Sequence, residues 1–318
     1  MATILEIEDL SVHFPINIGT VQAVQDVNLR LEQGEVMGLV GESGCGKSTL
    51  GFSIVRLLRP PGKIVKGRIL YHGQDIVQMS QKEILSLRGR KIAMIFQDPL
   101  TSLNPLFRID RQFIETLFTH ERGLDKKTAF RRAEKMLESL GISPERLSEY
   151  PHQMSGGMRQ RIMIGMGLIL NSDLLIADEP TTALDVIVEA QFLDLLNDLR
   201  RQYNLTIILI THNLGNVAQL ADRITVMYGG TIAEVGQANT IFEDPLHPYT
   251  QGLLSSIPNI KLDQPKLKTM PGSPPDLVDP PSGCVFHPRC PYDKEICRVQ
   301  KPETFTEDGR LVSCWLYG

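Results

Sequence analysis

Apolar and polar positions follow different rhythms along the chain. Near its start, LEIEDLSVHF and VQDVNLRLE place apolar side chains at about every second position. That is the period of strands burying one face, and it predicts an antiparallel β edge. GEVMGLV, KIAMIFQDP (Lys91–Pro99), LLIADEP (Leu174–Pro180) and TIILITHN (Thr206–Asn213) are instead short apolar runs closed by polar residues. Such runs predict buried strands, LLIADEP a central one. Residues 99–165 keep a helical period, and an apolar helix, IMIGMGLIL, follows MSGGMRQR. The predicted fold class is α/β: a parallel sheet with helices plus the β edge (residues 1–98 and 166–235), and a helical arm at about 99–165. After Gly236 the composition shifts, and DQPKLKTMPGSPPDLVDPPSG reads as an irregular, extended linker into a small Cys-rich region. The expected domains are residues 1–235 and 236–318. No repeat, low-complexity run or heptad series is visible.

Composition narrows the function classes. The chain has 318 residues, 33 basic and 37 acidic side chains and a net charge of −4, which argues against a nucleic-acid partner held by general electrostatics. The N-terminal MATILEIEDL has acids where a signal peptide has bases, and IMIGMGLIL falls far short of the ~20 apolar residues that span a bilayer. The expectation is a cytosolic chain, in which structural disulfides are disfavoured.

The chemistry starts at GLVGESGCGKSTLGFSIVRLL, which contains G-x-x-x-x-G-K-[ST] from Gly41 to Ser48 between an apolar strand and an amphipathic helix. That is the context of a P-loop, in which backbone N–H groups and a helix N-terminus surround phosphate oxygens. Ser43, Gly44, Cys45, Gly46, Lys47, Ser48 and Thr49 are the expected phosphate grip. Lys47 reaches the β- and γ-phosphates and Ser48 holds Mg²⁺. Cys45 is either a small filler or, at a helix N-terminus, a somewhat reactive thiol. At the end of LLIADEP, Asp178 is placed to orient Mg²⁺ and Glu179 to act as general base on water. A helix N-cap is the competing reading of these acids, since Thr181, Thr182 and Asp185 follow. Gln97, closing KIAMIFQ, is a candidate Mg²⁺ ligand and γ-phosphate sensor. His212, after TIILIT, is a candidate contact to the γ-phosphate and the attacking water. Ser155, Gly156 and Gly157 form a second anion cradle at a helix start, about 110 residues from the first.

In this order GESGCGKST, FQD, MSGGM, LLIADEP, TTALD and THN resemble the motifs of an ABC-transporter ATPase, over roughly residues 4–235. The resemblance implies a head-to-tail dimer in which Ser155, Gly156 and Gly157 of one subunit close over ATP held by the other's P-loop. It also implies that Phe14, in the loop before the second strand, stacks on adenine, a role His13 or Val21 can share. Two departures are Met154 and Met158, where leucine and glutamine are commonest, and Asn213, where aspartate is usual. HPYTQGLLSSIP and MPGSPPDLVDPPSGCVFHPRC narrow the resemblance to oligopeptide and dipeptide importer ATPases, with nickel importers as close relatives. That implies ATP-driven peptide import at the cytoplasmic face of the membrane. The implied partners are an F-type ATPase subunit, two permeases and an extracytoplasmic binding protein. An ATPase of a nickel or other small-solute importer and a nontransport ABC protein are the alternatives. Repair types carry a long coiled coil and translation types two cassettes, and neither is seen here. A redox enzyme regulated by ATP would need a flavin or dinucleotide site, and none is visible.

Four of the five cysteines, Cys284, Cys290, Cys297 and Cys314, fall in the final 35 residues with the spacing C-x5-C-x6-C-x16-C. Zinc knuckles normally offer C-x2–4-C, whereas a [4Fe–4S] cluster tolerates looser loops, and proline after a ligand, as in Cys290-Pro291, suits it. The resemblance also points to iron–sulfur. Zinc and free thiols remain the other readings.

Overall fold

The structure is a computed structural model that describes residues 2–97, 103–182, 184–256 and 270–318. The chain forms two compact units, residues 1–78 with 209–318, and residues 79–208. The extension after Gly236 therefore lies in the same unit as the P-loop.

The first unit opens with β1 (Thr3–Ile16) and β2 (Gly19–Glu32), followed by β3 (Val36–Val40), α1 (Lys47–Ile54), β4 (Lys63–Tyr71) and β5 (Gln74–Asp75). Strands β2, β1, β4 and β5 lie in that order in one antiparallel sheet. Along β2, Val27, Leu29 and Leu31 are buried while Asn28 and Arg30 are exposed, so the alternation read in the sequence is a one-faced strand. Every residue of β3 is buried, as expected of a strand covered on both faces.

The second unit contains α2 (Gln81–Leu87), β6 (Ile92–Ile95), α3 (Ile109–His120), α4 (Lys126–Ser139), α5 (Gly156–Leu168), β7 (Leu174–Asp178) and α6 (Val186–Tyr203). Strands β6 and β7 pair in parallel, and β7 is buried throughout. The arm is helical as its period predicts: Phe113 and Leu117 of α3, and Ala129, Ala133 and Leu137 of α4, are fully buried at helical spacing. Part of the predicted hinge, residues 98–102, lies outside the described residues.

Strand β8 (Thr206–Thr211) carries the chain back into the first unit. There follow α7 (Leu214–Leu220), β9 (Arg223–Tyr228), β10 (Thr231–Gln237), α8 (Ala238–Glu243), α9 (Pro248–Ser255), α10 (Glu295–Val299), β11 (Phe305–Glu307) and β12 (Arg310–Val312). Strand β9 is parallel to β3 and antiparallel to β10. The tail extends this sheet, because β12 pairs with β10 and β11 with β12. The predicted linker, in its described part, has no regular structure but is docked: the Gln22 N–H donates to the Leu277 carbonyl at 2.8 Å. The core beneath is aromatic, with Tyr228, Tyr249 and Phe286 buried and their rings 4.5–5.5 Å apart. A prolyl-rich tail with little apolar content of its own thus folds onto the sheet instead of forming a separate core.

Candidate functional site: a phosphate loop, an acidic strand end and a cysteine cavity

The P-loop connects β3 to α1. Gly46, the N-cap of α1, has φ 103° and gives the helix no side-chain cap. A side chain at Gly46 or Gly41 would overlap the carbonyl oxygens of Ala23 and Met227 respectively, so only glycine lets the loop wrap this closely. The uncapped first turn is what an anion-binding helix end requires. Ser43 and Gly44 are exposed, and Ser48 and Thr49 half-buried. Lys47 is 5% exposed, and its Nζ donates to the carbonyls of Gly41 (2.8 Å) and Glu42 (2.9 Å). The ammonium is thus held by backbone dipoles along the path that β- and γ-phosphates take in P-loops. Cys45 is buried, and burial pushes its thiol up against the opposing pull of Lys47. Burial therefore favours the reading of Cys45 as a small filler over that of a reactive thiol.

Sequence reading missed what holds Glu42, the residue after Gly41. Its N–H donates to Tyr249 Oη at 2.8 Å, and its carboxylate takes two hydrogen bonds from the Arg289 guanidinium, at 2.7 and 3.0 Å. Arg289 also donates from Nε to the Pro271 carbonyl (2.8 Å) and from Nη1 to Tyr228 Oη (3.2 Å). The one signal in the sequence was a charged residue, Arg289, set directly before a candidate cysteine ligand.

Phe14 lies in β1, paired with Val21, and not in the loop expected before β2. The turn is confined to Asn17 and Ile18, so β1 runs on to Ile16. The Phe14 ring packs on Gly62, where any Cβ would overlap it. His13 Nε2 is 2.7 Å from Gln25 Nε2. His212 follows β8 and is exposed, and the Asn213 side chain caps α7 by accepting from the Gly215 N–H at 2.9 Å. Asparagine does there what an aspartate would do as N-cap.

In the second unit, Asp178 is the buried last residue of β7, and Glu179 follows with φ 46°. Gln97 Nε2 donates to Glu179 Oε2 at 3.0 Å, and Thr182 Oγ1 to the same oxygen at 3.2 Å. Two of the predicted residues are therefore brought together, and the Glu179 carboxylate is oriented with an oxygen committed to donors. The capping alternative is answered by Asp185, whose side chain accepts from the N–H groups of Ile187 and Val188 and starts α6. Ser155 caps α5, its Oγ accepting from the Met158 N–H at 3.3 Å. Ser155 and Gly156 are exposed, with nothing within 4 Å of a Cβ built on Gly156. Met154, one of the two departures, is buried at 4% exposure and serves packing.

The four tail cysteines line one small cavity, about 10 Å³, together with His247 and Phe286. Each is a free thiol. Burial pushes Cys284 up to about 11 and raises Cys290 and Cys314, and the neighbouring cysteines raise each of them further. The Cys284 N–H donates to the Cys297 carbonyl at 2.8 Å, tying two of the cysteine-bearing turns together. Among the described residues no group of three or more His, Cys, Asp or Glu is arranged to hold a metal ion. His247 is buried, which pushes it down to about 4, and its Nδ1 accepts from the Tyr249 N–H at 3.0 Å.

Comparison with known proteins shows the family of the chain. Residues 24–182 match the family model described as ABC transporter, and residues 233–297 match the oligopeptide/dipeptide transporter, C-terminal region. The chain is 48% identical over 320 residues to the dipeptide transport ATP-binding protein DppD of Bacillus subtilis (strain 168), covering 99% of this chain and 95% of the relative. It is 46% identical to the oligopeptide transport ATP-binding protein OppD of Salmonella typhimurium, covering 98% and 93%. Among solved structures it resembles cbiO1 from Clostridium perfringens, part of the ABC transporter complex cbiONQ (TM-score 0.66, 28% identity, 77% of this chain and 92% of that one). A dimeric ATP-binding cassette with bound ADP and Pi shares the fold (TM-score 0.67, 24% identity, 74% and 99%).

Proposed function

The chain belongs to the ABC transporter family and carries its oligopeptide/dipeptide C-terminal region, and on that premise we propose that it hydrolyses ATP to drive import of di- or oligopeptides. The observation that carries the catalytic part is the Glu179 carboxylate at the end of a buried strand, oriented by Gln97 and Thr182. In this reading Lys47 Nζ leaves its two carbonyls for the β- and γ-phosphate oxygens. Ser48, Gln97 and Asp178 would hold Mg²⁺, which when bound would neutralise charge on the β- and γ-phosphates. Glu179 accepts a proton from the water attacking the γ-phosphorus, and His212 donates to the γ-phosphate. Phe14 supports the adenine. In the same reading, which rests on the peptide-transport relatives, separate permeases carry the peptide and this chain sits at the membrane's cytoplasmic face; no helix among the described residues is long and apolar enough to cross a membrane.

The exposed Ser155–Gly156 cradle is supplied to the ATP of a second, F-type ATPase subunit. Val186 and Ile187, 80% and 72% exposed just after the TTALD segment, give that contact an apolar surface. An extracytoplasmic binding protein delivers the peptide. The test is ATP hydrolysis by the chain alone, with the partner ATPase, and in proteoliposomes containing permeases, binding protein and peptide. Slow turnover alone and peptide-stimulated turnover in the assembly are expected. Brisk, concentration-independent hydrolysis by a proven monomer overturns the shared-site reading.

The cysteine cavity suits a [4Fe–4S] cluster. Four thiols line one space, and their loose spacing, C-x5-C-x6-C-x16-C, is closer to what a cluster tolerates than to the tight knuckles of zinc sites. Cys284, Cys290, Cys297 and Cys314 would hold it, and bound it would cross-link a tail with little core of its own. Anaerobic preparations are expected to contain about four iron and four sulfide per chain. Cys→Ser at each of the four should lower both, and Cys45→Ser should leave them unchanged. Stoichiometric zinc without sulfide refutes this assignment.

A further inference from the structure

We propose that Arg289 and Tyr249, both outside the phosphate-binding motifs, are positioning residues for ATP: the tail grips the P-loop at Glu42 and sets its phosphate-binding shape. The inference rests on the reading of Gly41–Thr49 as the nucleotide site, and it adds residues of the extension to that site.

The grip has three parts, all within one compact unit. The Glu42 N–H is taken by Tyr249 Oη (2.8 Å), and Tyr249 is itself fully buried at the start of α9. Its ring packs against Tyr228 and Phe286 and cannot swing away without opening that core. The Glu42 carboxylate is held in a two-pronged ion pair by Arg289, whose side chain is 5% exposed while that of Glu42 is 26% exposed. Planar, bidentate pairing fixes orientation as well as distance. The guanidinium in turn is fixed at Nε by the Pro271 carbonyl and at Nη1 by Tyr228 Oη. The third part is the Glu42 carbonyl, which accepts from Lys47 Nζ at 2.9 Å. Amide, carboxylate and carbonyl of one P-loop residue are thus bound by a tail tyrosine, a tail arginine and the phosphate-binding lysine.

Two tethers on Glu42 hold the loop in one shape before ATP arrives. Releasing them makes ATP binding bear the cost of ordering the loop, which weakens affinity and leaves the hydrolytic step at Glu179 untouched. Arg289 directly precedes Cys290, so the turn that presents this thiol to the cavity also presents the guanidinium to the P-loop.

The test uses the full chain and the assembled transporter, with MgATP as the probe. In titrations, Arg289→Met, Glu42→Gln and Tyr249→Phe are each expected to raise the Kd for MgATP about five- to tenfold, the range set by losing one charge-assisted or buried hydrogen bond. Arg289→Met with Glu42→Gln should be no weaker than either alone, because both remove the same pair. Arg289→Lys should recover part of the loss. In the assembled transporter, KM for ATP should rise with kcat unchanged, a split that general damage to the fold does not produce. Iron content, measured on the same samples, should match wild type. Tyr249→Phe and Glu42→Gln decide the matter if Arg289→Met does not fold. Affinities within twofold of wild type in both, or multiplying effects in the double variant, overturn the proposal. Lys47→Ala separates the two readings: if it too leaves MgATP affinity unchanged, the nucleotide-site reading has failed, and if it abolishes binding while the tail variants do nothing, only the grip has.

Discussion

Replacing Glu179 by glutamine isolates the proton-accepting role of this residue. The carboxylate oxygen that accepts from Gln97 (3.0 Å) and Thr182 (3.2 Å) becomes an amide oxygen that can accept from both. The side chain should keep its place, and weakening of two charge-assisted bonds to neutral ones costs about 1 kcal/mol of stability. Lys47 and the rest of the P-loop keep their own hydrogen bonds, so MgATP affinity should stay within about threefold, or roughly 0.6 kcal/mol. The lost function is general-base catalysis, about 10²–10⁴ in rate, equivalent to about 2.7–5.4 kcal/mol of barrier. The assay is single-turnover hydrolysis in the assembled transporter, with size-exclusion chromatography of the two ATPase subunits in MgATP. Glu179→Gln should bind ATP, hydrolyse it at least a hundredfold more slowly, and accumulate the closed pair. Hydrolysis within about threefold of wild type, or a Kd that rises in step with the loss of rate, refutes the assignment.

Cys45 should alkylate slowly at neutral pH for a P-loop thiol, because burial raises its pKa; its rate, followed by peptide mapping, should climb as the solution is made alkaline, and fast, pH-independent labelling would contradict the burial argument. Glu234 is fully buried on β10, and its two oxygens accept from the N–H groups of Leu246 and His247, both at 2.9 Å. Glu234→Gln turns an acceptor into a donor facing an N–H, and should cost about 2–3 kcal/mol, lowering the melting midpoint by roughly 3–5 °C; a midpoint within 1 °C of wild type, on the order of measurement error, would contradict the two-acceptor account. Asp185→Ala removes the cap that accepts from two N–H groups of α6 and should cost about 0.5–2 kcal/mol in denaturant unfolding, and an unchanged midpoint would contradict the cap.

What the sequence made legible was local. The P-loop, Asp178 with Glu179, and Gln97 each follow a short apolar run, Ser155 opens a glycine-rich start to an apolar helix, and such units signal themselves within about ten positions. The rhythm of β2 and the helical period of α3 and α4 were legible for the same reason. Glu42, Tyr249 and Arg289 were not, because their meeting depends on contacts up to 247 positions apart. The extended region after Met270 read as linker because proline-rich chain has no period, although the Gln22 N–H of β2, on the Leu277 carbonyl, and Arg289 Nε, on the Pro271 carbonyl, hold it in place. Phe14 was misplaced by two residues' worth of turn, since a tight turn and a loop differ little in composition.

The unit that carries the P-loop is discontinuous, and this has a consequence for biosynthesis. Glu42 leaves the ribosome 247 residues before Arg289, a delay on the order of tens of seconds at typical elongation rates. During that interval the sheet edge at β10 and the P-loop wait for partners not yet translated. A nascent or prematurely terminated chain would therefore expose an unpaired strand edge and a P-loop with a free carboxylate, a form that chaperones and proteases can distinguish from the finished subunit.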